Sequence, residues 1–283
     1  MWKIFFLLVS YAFGSYAQTD STKAFKIAIA SEVAIYGGTM YGLNKLWYAD
    51  YERSSFHFHN DNSHWFKIDK YGHAYSVYSL SKLGNNILLS SGVSKKKSLW
   101  FGGMFGPVML TTVEILDGFS KQWGASYGDL VANTIGSIVY VGQELLWEDQ
   151  RVQLKFSFFP TAYAKENPNI LGSNFLEQTF KDYNGQTYWI SANISSFFKN
   201  SSIPKPLCIS VGYGIDNLIS SNAYTDLSSR QYYLSLDLDL TKIKTNSEFL
   251  NKVFMIFNHL KIPLPAIMLN KNKLTFYPLH YGQ

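Results

Sequence analysis

In 283 residues there is one cysteine, Cys208, so no internal disulfide can form. A chain without disulfides has to be held together by its core. No serine stands in a nucleophile-elbow context, and no cysteine–histidine pair is evident, so covalent catalysis has no support. Basic runs are almost missing. Lys95-Lys96-Lys97 is short, has no aromatic or arginine directly beside it, and reads as a solvated loop, not a nucleic-acid patch. There is no internal repeat and no low-complexity segment. Long apolar runs free of acids are also lacking. Crossing a bilayer takes about 20 largely apolar residues. Segments 24–48 and 99–119 approach that length, but the first carries Glu32 and the second Glu114 and Asp117. With a mean hydropathy of −0.07, the expectation is a soluble or peripheral protein.

Apolar residues are nonetheless plentiful, at 47%, and aromatics reach 17%, with 20 tyrosines and 21 phenylalanines. A sizeable core is available, and so many rings suit a half-buried surface or a membrane boundary. The formal charge of +5 is mild and spread along the chain. The first residues, MWKIFFLLVSYAFGSYAQ, carry one early cation, Lys3, an apolar run from Ile4 to Phe13, and small residues at Ser15 and Ala17. This is the layout of a secretory signal peptide, cut after Ala17. No cysteine follows that cut, which argues against lipid attachment there.

After the leader, the pattern predicts four helices, at 24–48, 69–89, 99–119 (bent near Pro107) and 127–147, joined by short links as in an antiparallel bundle. The character changes beyond Trp147. RVQLKFSFF, PLCISVGYGIDNL, RQYYLSLDLDL and KLTFYPLHYGQ read as strands, the third with Tyr232, Leu234, Leu236, Leu238 and Leu240 alternating. The segment PNILGSNFLEQTFKDYNGQTYWISANISSFF reads as a helix, a turn and a further helix, and 247–260 as an amphipathic helix. The expected fold class is α+β: a signal peptide at 1–17, a helical bundle at 24–147, and a region at 148–283 in which a small antiparallel sheet and additional helices pack on the bundle. Too few strands are present for a closed outer-membrane barrel of eight.

The polar residues that interrupt the helices are the candidates for chemistry. Asp69 and His73 are four apart, on one face of a helix start, with Lys70 between them. Glu114 and Asp117 lie three apart near the end of the third helix. Ser126 can cap the fourth, with Asp129 in the capping-box place and Asn133 one turn on. Up-and-down helices bring these three ends to one tip of the bundle. One reading is a satisfied polar network that fixes the packing. A second is a pocket with His73 as acid/base, Asp69 orienting it, and Glu114 or Asp129 as a second carboxylate. A third uses the loop HFHNDNSHW, where His57, His59 and His64 (with Asp61) offer ligands for zinc or another transition metal.

The stretches DKYGHAYSVYSLSKLG and TTVEILDGFSKQWGASYGDLVANTIGS resemble the YfiM-like family of predicted periplasmic proteins and a wider VanZ-like pattern. That pattern opens one helix with Asp-Lys-x-x-His, closes another with Glu, and opens the next with Asp-x-x-x-Asn and a Gly. The matching positions are Asp69, Lys70, His73, Glu114, Asp129, Asn133 and Gly136, within roughly residues 65 to 145. The resemblance implies a cell-envelope location and no established reaction, and the chain departs from the family's lipoproteins in lacking the lipid-acceptor cysteine. Together these readings describe an exported protein of the periplasm or the periplasmic face of an envelope membrane. Its expected role is non-enzymatic and its expected partners are a membrane surface or another envelope component. Neither a cofactor, apart from the transition metal of the third reading, nor a nucleic acid is expected.

Overall fold

Helical periodicity governs the first half of the chain and strand periodicity the second. The computed structural model describes residues 21–49, 51–198, 202–222 and 224–280. The leader therefore lies outside the described residues. The chain divides into two units. The first holds the residues up to Asn60 together with Ser76–Glu148, and the second Asp61–Tyr75 and Asp149–Gln283.

The first unit is helical. Helix α1 (Ser21–Leu43) runs into a π-helical turn, Asn44–Tyr48. Helix α2 (Ile68–Ser90) contributes its part from Ser76 onward. Helices α3 (Lys95–Phe101), α4 (Phe105–Gly118) and α5 (Tyr127–Trp147) complete it. Two apolar clusters hold it. Val77, Phe105, Met109 and Leu110 pack with Ile35 and Leu80, and Ala28, Ile87, Leu88 and Val93 pack with Phe25 and Ile29. The bend expected near Pro107 occurs earlier, at Gly102-Gly103-Met104. Pro107 falls in the first turn of α4, where its missing N–H is not needed. Nor are Lys95–Lys97 a loop: they open α3, and Lys95 reaches Glu148 at 2.7 Å.

Small residues decide how α2 and α4 cross. A Cβ on Gly84 would stand 2.3 Å from the Gly102 carbonyl oxygen, and one on Gly106 would stand 2.2 Å from that of Val77 and 2.7 Å from Ser81 Oγ. The backbones touch there, and Glu32 of α1 is buried against the same crossing, its Oε1 without a hydrogen-bond partner among the described residues. Burial pushes the Glu32 carboxyl up to about 7. The unfolded chain releases this proton near the ordinary value of 4.5, whereas the folded chain keeps it to about 7. Folding therefore retains a proton in that window, and stability falls as pH rises through it, by on the order of 3 kcal/mol. Thermal melts of Glu32→Gln should show a higher Tm than the parent at pH 8 and nearly the same Tm at pH 5. Equal shifts at both pH values would show that the carboxyl is not held protonated.

The second unit is built on a six-stranded antiparallel meander in the order β1-β2-β3-β4-β5-β6. The strands are β1 (Val152–Phe158), β2 (Gln186–Asn193), β3 (Leu207–Asp216), β4 (Ser229–Leu238), β5 (Ala266–Asn270) and β6 (Lys273–Tyr277). Helices α6 (Phe175–Lys181) and α7 (Glu248–Phe257) lie in the connections. Two expectations are corrected. Residues 186–193 are a strand, because Thr187, Trp189, Ser191 and Asn193 alternate toward a buried face, and only one helical turn, Ile194–Phe197, follows. The strand β5 had no sequence signal of its own. It is paired to β6 through a tight turn with Lys271 and Asn272 at positive φ, the geometry that suits a twisted two-residue hairpin.

The polarity of this sheet is inverted. Along β4, Gln231, Tyr233, Ser235 and Asp237 are buried while Tyr232, Leu234 and Leu236 are exposed, and β1 buries Gln153, Lys155 and Ser157. The free edge of β1 is covered by the segment leading to β5. Phe156 N donates to the His259 carbonyl at 3.1 Å, Lys261 N donates to the Phe156 carbonyl at 2.8 Å, and Leu236 N reaches the Pro265 carbonyl at 3.3 Å. The sheet thereby wraps around its polar face. Residues 61–75 cover one end of the apolar face. Ile68 packs with Tyr213, Ile215 and Leu218, and the Tyr71 ring stacks on that of Tyr213 at 4.6 Å.

Candidate functional site

The end of α4, the turn 119–126 and the start of α5 assemble the acids of the first unit. Glu114 is 2% exposed, and its Oε2 accepts from the Ser126 backbone N–H at 2.9 Å. Ser126 caps α5 as its sequence indicates, its Oγ accepting from Asp129 N at 3.2 Å. Asp129 and, one turn on, Asn133 are also buried. A carboxylate at the first turn of a helix is favoured by the unpaired N–H groups there. Asp117, three residues from Glu114, is directed elsewhere: the Tyr48 hydroxyl donates to its Oδ1 at 2.8 Å. Burial first, and then Asp117, pushes the Tyr48 phenol well above its usual range.

The loop that carries His57 and His59 is laced to this turn. Phe58 and Ala125 form a bridge, His59 N donates to the Ala125 carbonyl at 2.9 Å, and Ala125 N donates to that of His57 at 3.0 Å. The His57 ring is engaged on both nitrogens: Nε2 lies 3.2 Å from the Trp123 carbonyl, and Nδ1 lies 3.1 Å from that of Ser55. Gly124 sits at φ +126, where a Cβ would run into both histidines, so glycine is required for the lacing. The structure thus gives His57 a loop-holding role.

In the second unit Lys70 links two acids, with Nζ 2.6 Å from Asp61 Oδ2 and 2.8 Å from Asp69 Oδ2. Asp61 is therefore a partner of the helix start that the spacing of loop ligands did not reveal. His73 follows Asp69 by one turn of α2. His64 opens a turn in which Trp65, Phe66 and Lys67 all have positive φ, and its Nε2 lies 3.1 Å from Asn222 Nδ2. Tyr224 also bonds the Ser63 carbonyl, which ties the turn to the loop after β3.

A third polar group was not anticipated. Within the wrapped sheet, Lys155 Nζ lies 2.9 Å from Asp237 Oδ2 and Lys261 Nζ 3.8 Å from Oδ1. Ser191 Oγ donates to Asp237 at 2.7 Å and Ile262 N at 3.1 Å. Burial draws the Lys261 ammonium down to about 8, draws His280, which packs on Trp189 and Tyr233, down to about 4, and pushes the Cys208 thiol up to about 11. The alternation of KFSF and LSLDL marked these strands, but the burial of their polar sides depends on the far partners that complete the network.

Residues 56–142 match the model of a family described as predicted periplasmic lipoproteins (DUF2279). No curated protein and no solved structure matches the chain. The matched segment contains α2, α4 and nearly all of α5 with their acids, and the one cysteine, Cys208, lies outside it, buried in β3. The protein is an exported, periplasmic component of the cell envelope.

Proposed function

We propose that the protein is a non-enzymatic envelope component in which Asp69, His73, Glu114, Asp129 and Asn133 form one polar centre, and that His73, Glu114 and Asp129 take up a divalent transition metal there. The carrying observation is the helix register of the first unit. Gly102, in the turn before α4, and Gly106 of α4 abut Gly84 and Ser81 of the antiparallel α2. About two turns further along α4 stands Glu114. Asn85 donates to the Tyr140 hydroxyl at 2.8 Å. Three turns back from Tyr140 along α5 is Asp129, whose backbone N–H is held by Ser126, the residue that also bonds Glu114. An imidazole with two carboxylates is a donor set that holds zinc or a similar ion. The Ser126 N–H on Glu114 would orient that ligand from behind. The motif order also supports grouping the bundle with the YfiM-like and VanZ-like pattern.

Calorimetric titration of the untagged protein with zinc should give about one equivalent bound, and saturation at a hundredfold over Kd should add about 2.7 kcal/mol of stability. His73→Ala and Glu114→Gln should each abolish uptake, while a His57/His59/His64 triple alanine variant should retain it. Absence of uptake by the parent sinks the metal reading and leaves a metal-free polar network. Uptake that survives in His73→Ala but disappears in the triple variant transfers the site to the loop.

A further inference from the structure

The inverted sheet carries an interaction surface that is independent of the proposed metal centre, since it is built from the second unit alone. The register of the six strands places Ile190, Val211, Leu234, Leu236, Ile267 and Phe276 on one face, each between 43% and 63% exposed. Every other strand residue on that face is also aliphatic or aromatic except Gln186 and Arg230, and no carboxylate occupies it. A sheet with water outside and a core inside alternates the other way. Apolar-out and polar-in is the pattern of strands that face hydrocarbon. The buried Lys155, Asp237 and Lys261 supply the polar interior that this pattern demands.

Charge selects the occupant. Exposed Lys205 and Lys244 lie just beyond the Leu207 and Leu238 ends of β3 and β4, and Arg230, Lys271 and Lys273 lie at the opposite end, at the start of β4 and the β5–β6 turn. An apolar band capped at both ends by cations complements acyl chains capped by anionic headgroups. From Tyr232 to Leu238 the band spans about 20 Å at about 3.4 Å per residue, enough to reach past the headgroups into hydrocarbon. Helix α7, in the same unit, also exposes Phe249 and Phe257. We propose that the outward face of the β1–β6 sheet, where residues 61–75 leave it open, lies against the acyl chains of a bilayer containing anionic phospholipid.

A depth-quenching measurement on the full chain tests this. The fluorophore NBD is attached to Leu234→Cys in a Cys208→Ser background, and in a second sample to Glu166→Cys, outside the sheet. Each is mixed with vesicles of phosphatidylcholine and phosphatidylglycerol whose acyl chains carry bromine. The label at 234 should lose more than about half of its emission and that at 166 little, as expected for a lipid-facing strand position. In parallel, Val211→Asp/Leu234→Asp should reduce flotation with these vesicles more than about tenfold while leaving the far-ultraviolet circular dichroism unchanged. No quenching at 234, or flotation of the double variant equal to the parent, overturns the proposal. A lipid-free dimer in sedimentation that the double variant dissociates, without quenching at 234, overturns it in favour of a second copy of the chain.

Discussion

Asp237→Ala should lower the stability of the sheet unit by about 3–5 kcal/mol, the usual result of removing one member of a buried charge network. Asp237 is fully buried and accepts from Lys155, Ser191 and Ile262 N, with Lys261 close by. Truncation leaves two buried ammonium groups with only carbonyl partners, Leu238 for Lys155 and Leu236 and Ile262 for Lys261. Urea unfolding followed through Trp189, which packs against the Lys261 ammonium at 5.1 Å, reads the effect directly. Asp237→Ala combined with Lys155→Met should recover part of the loss, because one of the stranded cations leaves with its partner. A single variant that unfolds within about 1 kcal/mol of the parent would mean that water solvates the two lysines and that the sheet interior is not dry.

Gly102→Val is the second change expected to act strongly. Its Cβ would stand 2.4 Å from the Gly84 carbonyl carbon and oxygen and 2.6 Å from Asn85 N, all of them backbone atoms that no rotamer change can move aside. Overpacking of this kind costs about 1–3 kcal/mol and more where backbone must shift. The informative control is Gly142→Ala. There the new Cβ meets only Ile138 Cγ2 at 4.0 Å, and replacing a mid-helix glycine by alanine gains up to about 1 kcal/mol. Thermal melts should therefore move in opposite directions for two substitutions that look alike on paper. If both raise Tm, the turn that leads into α4 is not in backbone contact with α2.

The legibility of this chain divides along the same line as its secondary structure. Helices α2 and α5 could be read almost to the residue, since Ser126 caps one and Asp69 favours the start of the other. The break between α3 and α4 was misplaced because proline draws attention, whereas the Gly102-Gly103 pair, required by a close approach, looks from the sequence like two flexible residues. The strand pattern of β4 was plain, but alternation alone does not say which side is inside. Tyr232, Leu234 and Leu236 would ordinarily be assigned to a core, and they are the exposed set. Lys155, Asp237 and Lys261 are separated by 82 and 24 residues, so no local window shows that they neutralise one another. Glu114, Asp129 and Asn133 were legible as buried helix-end groups. The ring contacts of His57 and the Lys70–Asp61 pair depend on loop geometry that spacing does not encode.

Because every strand of the meander pairs with the one that precedes it, the sheet is suited to a chain that emerges from a translocon in order. Each new hairpin finds its template already present, and no strand has to wait for one yet to be threaded. The exception is the early segment 61–75, whose Ile68 and Tyr71 dock on Tyr213, Ile215 and Leu218 and so must remain undocked until those arrive. Exported chains truncated before β3 should accordingly expose this segment to periplasmic proteases, and chains extending through β4 should protect it.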